Sequence, residues 1–420
     1  MVIAGARCAG ASLAAFLAQA GLKVALFDQA PLPSEHVLST HTLHPRGMDV
    51  LDALGVGDAV RAVTPATRVI RFCIDEVTLD APFRDGRREY CPRRHRLDAL
   101  LQEAAAAAGV QLFDRTRVLD VVARDGVVAG IRIKAGAGER EIAAGLVVGA
   151  DGRHSRIAAA VGAREYLGYD APRACYWSYW PAPASWKDNP FDMYLGRQGR
   201  DFRFIFPVEQ ERLLLGTAPL KEIAKDWKTD VKAAYRADLA SDPVIAPIIQ
   251  GNEPAEEIRG TVSERYFFRQ AAGPGWVLLG DAGHHKDFII GDGMTEALLQ
   301  AQALAAVILK GGDLSDWGRR RDIEALPMFR FAQDQGMPAP APGLVKRIYR
   351  RLGRTPDGGT RLLDILERRV TAYEAIPVAT ALATVLDAML AGDFAVLPEF
   401  LTQAKRASSV GKEVAALRGG

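Results

Sequence analysis

Three stretches carry the residue types and spacings that could do chemistry, and each opens where an apolar run stops. GARCAG stands at 5–10 after Val2-Ile3-Ala4, GADGRHSR at 149–156 after Leu146-Val147-Val148, and GDAGHHKDFIIGDGMTEA at 280–297 after Trp276 to Leu279. A glycine-rich turn between a strand and a helix offers bare backbone amides and the positive end of a helix dipole, which together bind a pyrophosphate. A carboxylate at a strand end accepts two sugar hydroxyls. Asp28, Asp151 and Asp281 all stand at such ends. The pattern asks for a long ligand bearing phosphates and polyols, and a dinucleotide is the commonest of these.

The elements that must position these residues are legible around the first turn. Ala11 to Ala20 places Leu13, Phe16, Leu17 and Ala20 on one helical face, and Gly21 is placed to stop that helix. Val24-Ala25-Leu26-Phe27 reads as a buried strand ending in Asp28. The order strand, turn, helix, strand, acid is the one a ribose contact requires. Gly5 allows the tight turn and Gly10 the close packing of helix on strand, with Cys8 and Ala9 between them. Arg7 stands where the usual motif has its middle glycine. It can serve there if its backbone stays extended and its side chain swings outward, adding positive charge beside a phosphate. In the third stretch Gly291-Asp292-Gly293 opens a second helix from Met294 to about Leu309, and with it a second helix N-terminus.

Composition removes other classes. The 53 basic and 51 acidic residues leave no field to attract nucleic acid or an anionic membrane. Cys8, Cys73, Cys91 and Cys175 form no C-x-x-C, which argues against a thiolate metal site and suits a reducing cytoplasm. No apolar run is long enough to span a bilayer, so no stable membrane insertion is expected. Met1 sits almost inside the first strand, so further residues are expected ahead of it. His36, His41 and His44 lie within nine residues of one another, and His284-His285 adjoins Gly280-Asp281. A metal would need these imidazoles to converge with a carboxylate, and none is expected. His154-Ser155 lacks the G-x-S-x-G of a hydrolase elbow.

Taken together, GARCAG at 5–10, Arg94 in RRHRLDALL, DGRHSR at 151–156 and GDAGHH…GDGMTEA at 280–297 resemble the FAD-dependent monooxygenases of the para-hydroxybenzoate hydroxylase type, the class A flavin hydroxylases. The likeness spans roughly residues 1 to 330. It is nearest to a bacterial subset with arginine in the first turn and a Ser-Thr-His stretch, here Ser39-Thr40-His41. The resemblance implies a non-covalent FAD. Gly5, Arg7 and Gly10 would face its pyrophosphate, Asp28 its ribose, and Arg94 its phosphate region. Asp151 and Gly152 would touch FAD and influence the nicotinamide. Gly280 and Asp281 would hold the ribitol or pyrophosphate, and Gly291, Gly293 and Met294 the pyrimidine edge of the flavin ring. The implied reaction is hydroxylation of an aromatic or polycyclic small molecule with O2 and NADPH or NADH, through a flavin C4a-hydroperoxide. No second dinucleotide turn is visible for the nicotinamide, as the resemblance would have it.

The sequence departs from the pattern twice. Phe288-Ile289-Ile290 replaces a proline-containing stretch, and Asp292 stands where a glutamine is usual. A carboxylate there would oppose an anionic reduced flavin unless it points away. No catalytic acid or base can be read directly; His41, His44 and Asp292 are the candidates. The rival readings are a reductase of the geranylgeranyl reductase type, which shares the FAD motifs, and a non-catalytic flavin-binding protein. A halogenase is disfavoured because W-x-W-x-I-P is absent: Trp177-Ser178-Tyr179-Trp180-Pro181 has another spacing.

The expected fold class is α/β: a Rossmann-like FAD-binding domain of the GR2 type, an interleaved and mostly antiparallel β-sheet substrate domain, and C-terminal helices. The FAD-binding domain is expected at 1–65, 90–170 and 271–330, the substrate domain at 66–89 and 171–270, and the helical region at 331–420. Residues 116–145 alternate around Gly126, Gly130 and Gly136, which predicts a three-stranded antiparallel meander. Phe202, Phe204 and Phe206 share a strand face, and Tyr176 to Trp180 is another strand. Trp177, Tyr179, Phe204 and Phe206 are the candidates to line a substrate pocket, although a stripe of this kind is more often the core face of a sheet. GMPAPAPG at 336–343 reads as a linker. Ala379 to Leu390 is apolar enough to pack on the body, on the partner subunit of a homodimer, or on a hydrophobic substrate.

Overall fold

Short apolar triplets build the first sheet. Its strands run in the order Ala272–Gly273, Trp276–Leu278, Val147–Gly149, Val2–Ala4, Ala25–Phe27 and Gln111–Phe113. All neighbours are parallel except the two-residue edge strand Ala272–Gly273. Parallel strands buried on both faces need no alternation, which is why Val-Ile-Ala and Ala-Leu-Phe suffice. Helix Cys8–Gln19 packs against Arg94–Ala107 and against Gly293–Leu309. The predicted meander is present as Thr116–Arg124, Val127–Ala135 and Gly138–Ala143, antiparallel throughout. Its Val118, Val128, Ile131 and Ile133 share a core with Val2, Val147 and Trp276.

These coordinates are a computed structural model that describes every residue except 34–38, 137, 263, 356 and 420. His36 lies outside the described residues. The chain divides into two compact units, one of residues 1–63, 92–170 and 265–325 and the other of 64–91, 171–264 and 326–420. No helix among the described residues is long and apolar enough to cross a membrane.

The strand order of the first unit decides where chemistry can happen. Val2–Ala4 lies between Val147–Gly149 and Ala25–Phe27, so the chain leaves the central strand at a point where the order reverses. Ligands of open α/β sheets bind outside the carboxyl ends of the strands at such a point. Val2–Ala4, Val147–Gly149 and Trp276–Leu278 are consecutive and parallel. Their three glycine-rich exits therefore open on one edge of the sheet.

The second unit holds a seven-stranded sheet ordered Arg259–Thr261, Cys175–Pro181, Arg212–Thr217, Asp201–Val208, Met193–Gln198, Val69–Ile74 and Val77–Pro82. One face carries Tyr176, Trp180, Tyr194, Ile205 and Leu215, which form a core with Tyr235, Leu239 and Ile248 of the helical segment that follows. Trp177, Tyr179, Phe204 and Phe206 occupy the opposite face. Cross-strand register aligns Trp177 and Phe204 with Gly216, and Tyr179 and Phe206 with Leu214. A Cβ at Gly216 would come within 2.1 Å of the Phe204 ring. The missing side chain is thus what lets that ring lie down on the sheet, stacked 4.8 Å from Phe206.

The linker 336–343 is tied rather than loose. Arg173 donates to Gly336 O at 2.9 Å, Arg200 to Pro338 O at 2.9 Å, and Arg197 to Ala339 O. Beyond it, helices Gly343–Leu352, Thr360–Leu366, Val378–Leu390 and Val396–Gly419 share a small core of Leu344, Ile348, Leu362, Val385 and Ala388. Packing accounts for only one face of Val378–Leu390: Val378, Leu386 and Leu390 remain exposed.

Candidate cofactor site

The first turn is built as its residue types require. Gly5 has φ +101°, and a Cβ there would meet Ala150 O at 2.3 Å; one on Gly10 would meet Gly5 O at 1.9 Å. Helix and strand approach until only glycine fits. Arg7 answers the question its position raises. It is the residue before the helix, with φ −100° and ψ −167°, an extended conformation open to any side chain. Its middle place in the turn costs no strain. Asp28 is buried at the strand end, where Oδ2 accepts from Ala6 N and Oδ1 from Ala30 N, both at 2.9 Å. It braces the turn while keeping lone pairs for sugar hydroxyls.

Beneath the turn lies a buried ion pair. Arg94 donates to Asp98 at 3.0 Å, and the Asp98 side chain is wholly buried. Burial works against the charged guanidinium, but the charge and hydrogen bond of Asp98, with the charge of Asp281, outweigh it and hold the Arg94 pKa above its ordinary value. Cys8 donates its S–H to Asp98 at 3.3 Å, and burial pushes its thiol far up. Cys8 is a neutral packing residue of the turn rather than a nucleophile.

The second motif is turned inward. Asp151 accepts from Ser155 Oγ at 2.5 Å, Arg156 N at 2.7 Å and Ile157 N at 3.3 Å, so its carboxylate caps the short helix Arg156–Ala160. Burial raises its pKa, and these hydrogen bonds offset part of that rise. Asp151 and Gly152 both border the cavity.

The third motif ends at an open helix N-terminus. Helix Gly293–Leu309 begins at Gly293, whose missing Cβ faces space with nothing within 4 Å. Asp292 occupies the N-cap position, yet its side chain makes no capping bond. It accepts instead from Lys286 Nζ, which also donates to Glu296 Oε2 at 2.6 Å. Glu296 Oε1 accepts from Gln300 Nε2 at 3.0 Å, and Gln300 Oε1 from Gly280 N at 3.1 Å. The buried carboxylate that raised concern is thus paired and turned from the helix end. The other departure is also resolved: Phe288–Ile290 is a 3₁₀ turn capped by Asp287, which accepts from Ile289 N at 3.1 Å.

The histidine stretch is bound across this same end. Thr42 Oγ1 donates to Gly291 O at 2.7 Å, and Thr295 Oγ1 accepts from His44 N at 3.0 Å. The His44 ring faces Ile290 O at 3.3 Å and Asp292 at 4.0 Å, while His41 has φ +68°. His284 packs 4.2 Å from the Phe268 ring, and burial drives its pKa well below the ordinary value.

A cavity of about 470 Å³ joins these parts, within the range of small-molecule and cofactor sites. Gly5, Arg7, Cys8, Ala9, Asp28, Arg94 and His41 border it, as do Asp151, Gly152, Gly280, Asp281, Gly291, Gly293 and Met294. Gly10, His44 and Asp292 do not border it. Trp177, Tyr179, Phe204 and Phe206 belong to the sheet of the second unit. Sequence reasoning missed Gln29, Thr116, Arg117, Arg153 and Lys286 on this wall. Thr116 had a recoverable signal, its place at the start of the expected meander; there its N donates to Asp28 O at 2.8 Å. Lys286 had none: a charge six residues before Asp292 fits no periodicity.

The residues fit FAD. The open space at Gly152 and Gly293, which a Cβ would fill, and two helix N-termini on one cavity suit a molecule with a pyrophosphate in its middle and a flat ring at one end. The comparisons agree. The chain is 25% identical over 358 residues to a 1H-pyrrole-2-carbonyl-[peptidyl-carrier protein] chlorinase of Pseudomonas fluorescens, covering 76% of this chain and 77% of that one. It is 28% identical over 162 residues to a kynurenine 3-monooxygenase of Flavobacterium johnsoniae, covering 37% and 36%. Its fold matches a flavoprotein/dehydrogenase of Cytophaga hutchinsonii with a TM-score of 0.74 at 20% identity, covering 87% and 92%. The FAD binding domain family model matches residues 1–311. With that match on a chain whose three glycine-rich exits meet at one cavity, this protein is a member of the FAD binding domain family and a flavin-dependent oxidoreductase.

Proposed function

We propose that the protein is an FAD-dependent monooxygenase that hydroxylates an aromatic or polycyclic small molecule, with NADPH or NADH as transient reductant and O2 as co-substrate. The observation that carries the reading is the single cavity running from the Gly5–Gly10 turn to the open helix end at Gly293. When bound there, FAD would supply the two-electron and oxygen chemistry. The chain's own residues supply the rest. The amides of the first turn and the Arg7 guanidinium hold the pyrophosphate. Asp28 accepts ribose hydroxyls with the lone pairs its backbone contacts leave. The helix amides at Gly293 and Met294 stabilise negative charge at the ring edge. His41, which borders the cavity, is the candidate to hold or relay a proton, and His44, whose ring meets Ile290 O, would act only through it.

The kynurenine 3-monooxygenase relative supports hydroxylation, and its match covers 37% of the chain. The chlorinase relative supports a second reading, halogenation, and its match covers 76%. The absent W-x-W-x-I-P stretch weighs against the second. Trp177, Tyr179, Phe204 and Phe206, buried on one face of the second unit's sheet, are proposed as apolar lining for an aromatic substrate.

The test is to follow oxidation of NADPH and NADH with an oxygen electrode, with and without a panel of aromatics, in chloride-free buffer and then with added chloride or bromide. Oxygen uptake accelerated by one aromatic class, with a hydroxylated product, supports the proposal. A halogenated product appearing only with halide would replace it by the second reading. Electron uptake that leaves O2 untouched would replace it by a reductase.

A further inference from the structure

We infer that Lys286 is a positioning residue that keeps the flavin-facing helix end open by holding Asp292 away from it. The inference deepens the reading of the cofactor site and rests on it.

Aspartate is among the best N-cap residues, because its carboxylate accepts from the amide two or three residues on. Asp292 sits in that position, before Gly293, and does not cap. Left to itself, a buried carboxylate one bond from bare amides would turn to them, since burial makes an unmet acceptor costly. Lys286 gives it another partner. Its Nζ donates to Asp292 Oδ2 and to Glu296 Oε2, and the lysine and both acids are buried. Glu296 is fixed in turn by Gln300, and Gln300 by the Gly280 amide. A chain of hydrogen bonds thus runs from the Gly-Asp turn to the ammonium, and the ammonium sets where the Asp292 carboxylate points. The amides of Gly293 and Met294 stay unclaimed by their own N-cap, with Gly293 facing open space on the cavity wall. Without Lys286, Asp292 would cap its helix and compete with a flavin for those amides. It would also place a full negative charge at the ring edge, where charge accumulates on reduction.

The test uses full-length protein stripped of flavin and titrated with FAD, followed by flavin fluorescence, with the reduction potential of bound flavin read by dye equilibration. Lys286→Met is expected to weaken FAD about tenfold or more, the size of one lost hydrogen bond, and to move the potential negative. Lys286→Met with Asp292→Ala is expected to recover most of both, because no carboxylate remains to close the helix end. Unchanged affinity and potential in Lys286→Met, or no recovery in the double variant, would overturn the inference while FAD still binds the native protein. If Lys286→Met does not fold, Asp292→Ala alone decides. It should bind FAD within about threefold of native with a more positive potential; a tenfold loss would mean that Asp292 itself serves the cofactor. A native protein that takes up no FAD would sink the reading of the site and this inference together.

Discussion

Gly293→Ala separates a cofactor contact from a packing contact. Gly293 begins a helix, its φ is not positive, and a Cβ there meets nothing within 4 Å. Replacing glycine by alanine at a compatible position stabilises by about 0.4–1 kcal/mol, because the unfolded chain loses freedom. The flavin-free protein should therefore melt about 0.5–2 °C higher. The added methyl would stand in the cavity at the helix end, so FAD affinity should fall about tenfold or more. Gly10→Ala is the contrast. Its Cβ would lie 1.9 Å from Gly5 O, and reaching the 3.0 Å that real contacts tolerate requires the helix and the turn to part by about 1 Å. Overpacking of this kind costs about 1–3 kcal/mol, and a backbone acceptor cannot rotate aside. Gly10→Ala should lose stability and FAD together; Gly293→Ala should gain the one and lose the other. Thermal melts of the flavin-free proteins and fluorescence titrations with FAD measure both. A Gly293→Ala protein that binds FAD as the native one does would refute the placement of the ring edge.

Three further outcomes follow from the same geometry. Arg94→Met strands the buried Asp98 carboxylate and should cost about 3–5 kcal/mol in urea unfolding, most of it restored by a second change, Asp98→Leu; equal losses in both would rule out the ion pair as the cause. Arg7→Gly relieves no strain, because the backbone at 7 is already extended, so native stability should not rise, while FAD binding should lose part of its dependence on salt between low and high ionic strength. His284 is buried with its pKa far below the ordinary 6.5, so the unfolded chain takes up a proton that the folded one refuses. Stability should then be full above about pH 6.5 and fall by about 1.4 kcal/mol per pH unit below it, and His284→Gln should flatten that slope in melts from pH 7.5 to 5.5.

The parts of the fold that repeat a local rule were legible. Three apolar runs ending in glycine, two of them followed by Asp, gave the sheet edge where the cavity lies. Alternation around Gly126 and Gly130 gave the meander, because a half-exposed sheet writes its period into the sequence. What the sequence hid depends on distance along the chain. Gly216 follows Leu213-Leu214-Leu215 without any signal of its own, and its use emerges only when cross-strand register brings Phe204 over it. That the Asp151 oxygens also meet Ser155 and Arg156 N shows only once the loop folds back. Asp292 reads as a charge opposed to a reduced flavin, and only the fold supplies Lys286 to turn it away. The wall residues Gln29, Arg117 and Arg153 lie in loops and strand starts with no period of their own.

The most direct test of the central claim is titration of the flavin-free protein with FAD, FMN and riboflavin in parallel, followed by flavin fluorescence and absorbance. A cavity that grips a pyrophosphate at Gly5–Gly10 and a ribose at Asp28 while holding a ring edge at Gly293 should take FAD with high affinity, FMN far more weakly and riboflavin hardly at all. Equal binding of FMN and FAD would contradict the assignment of the first turn, and no binding of any flavin would contradict the site as a whole.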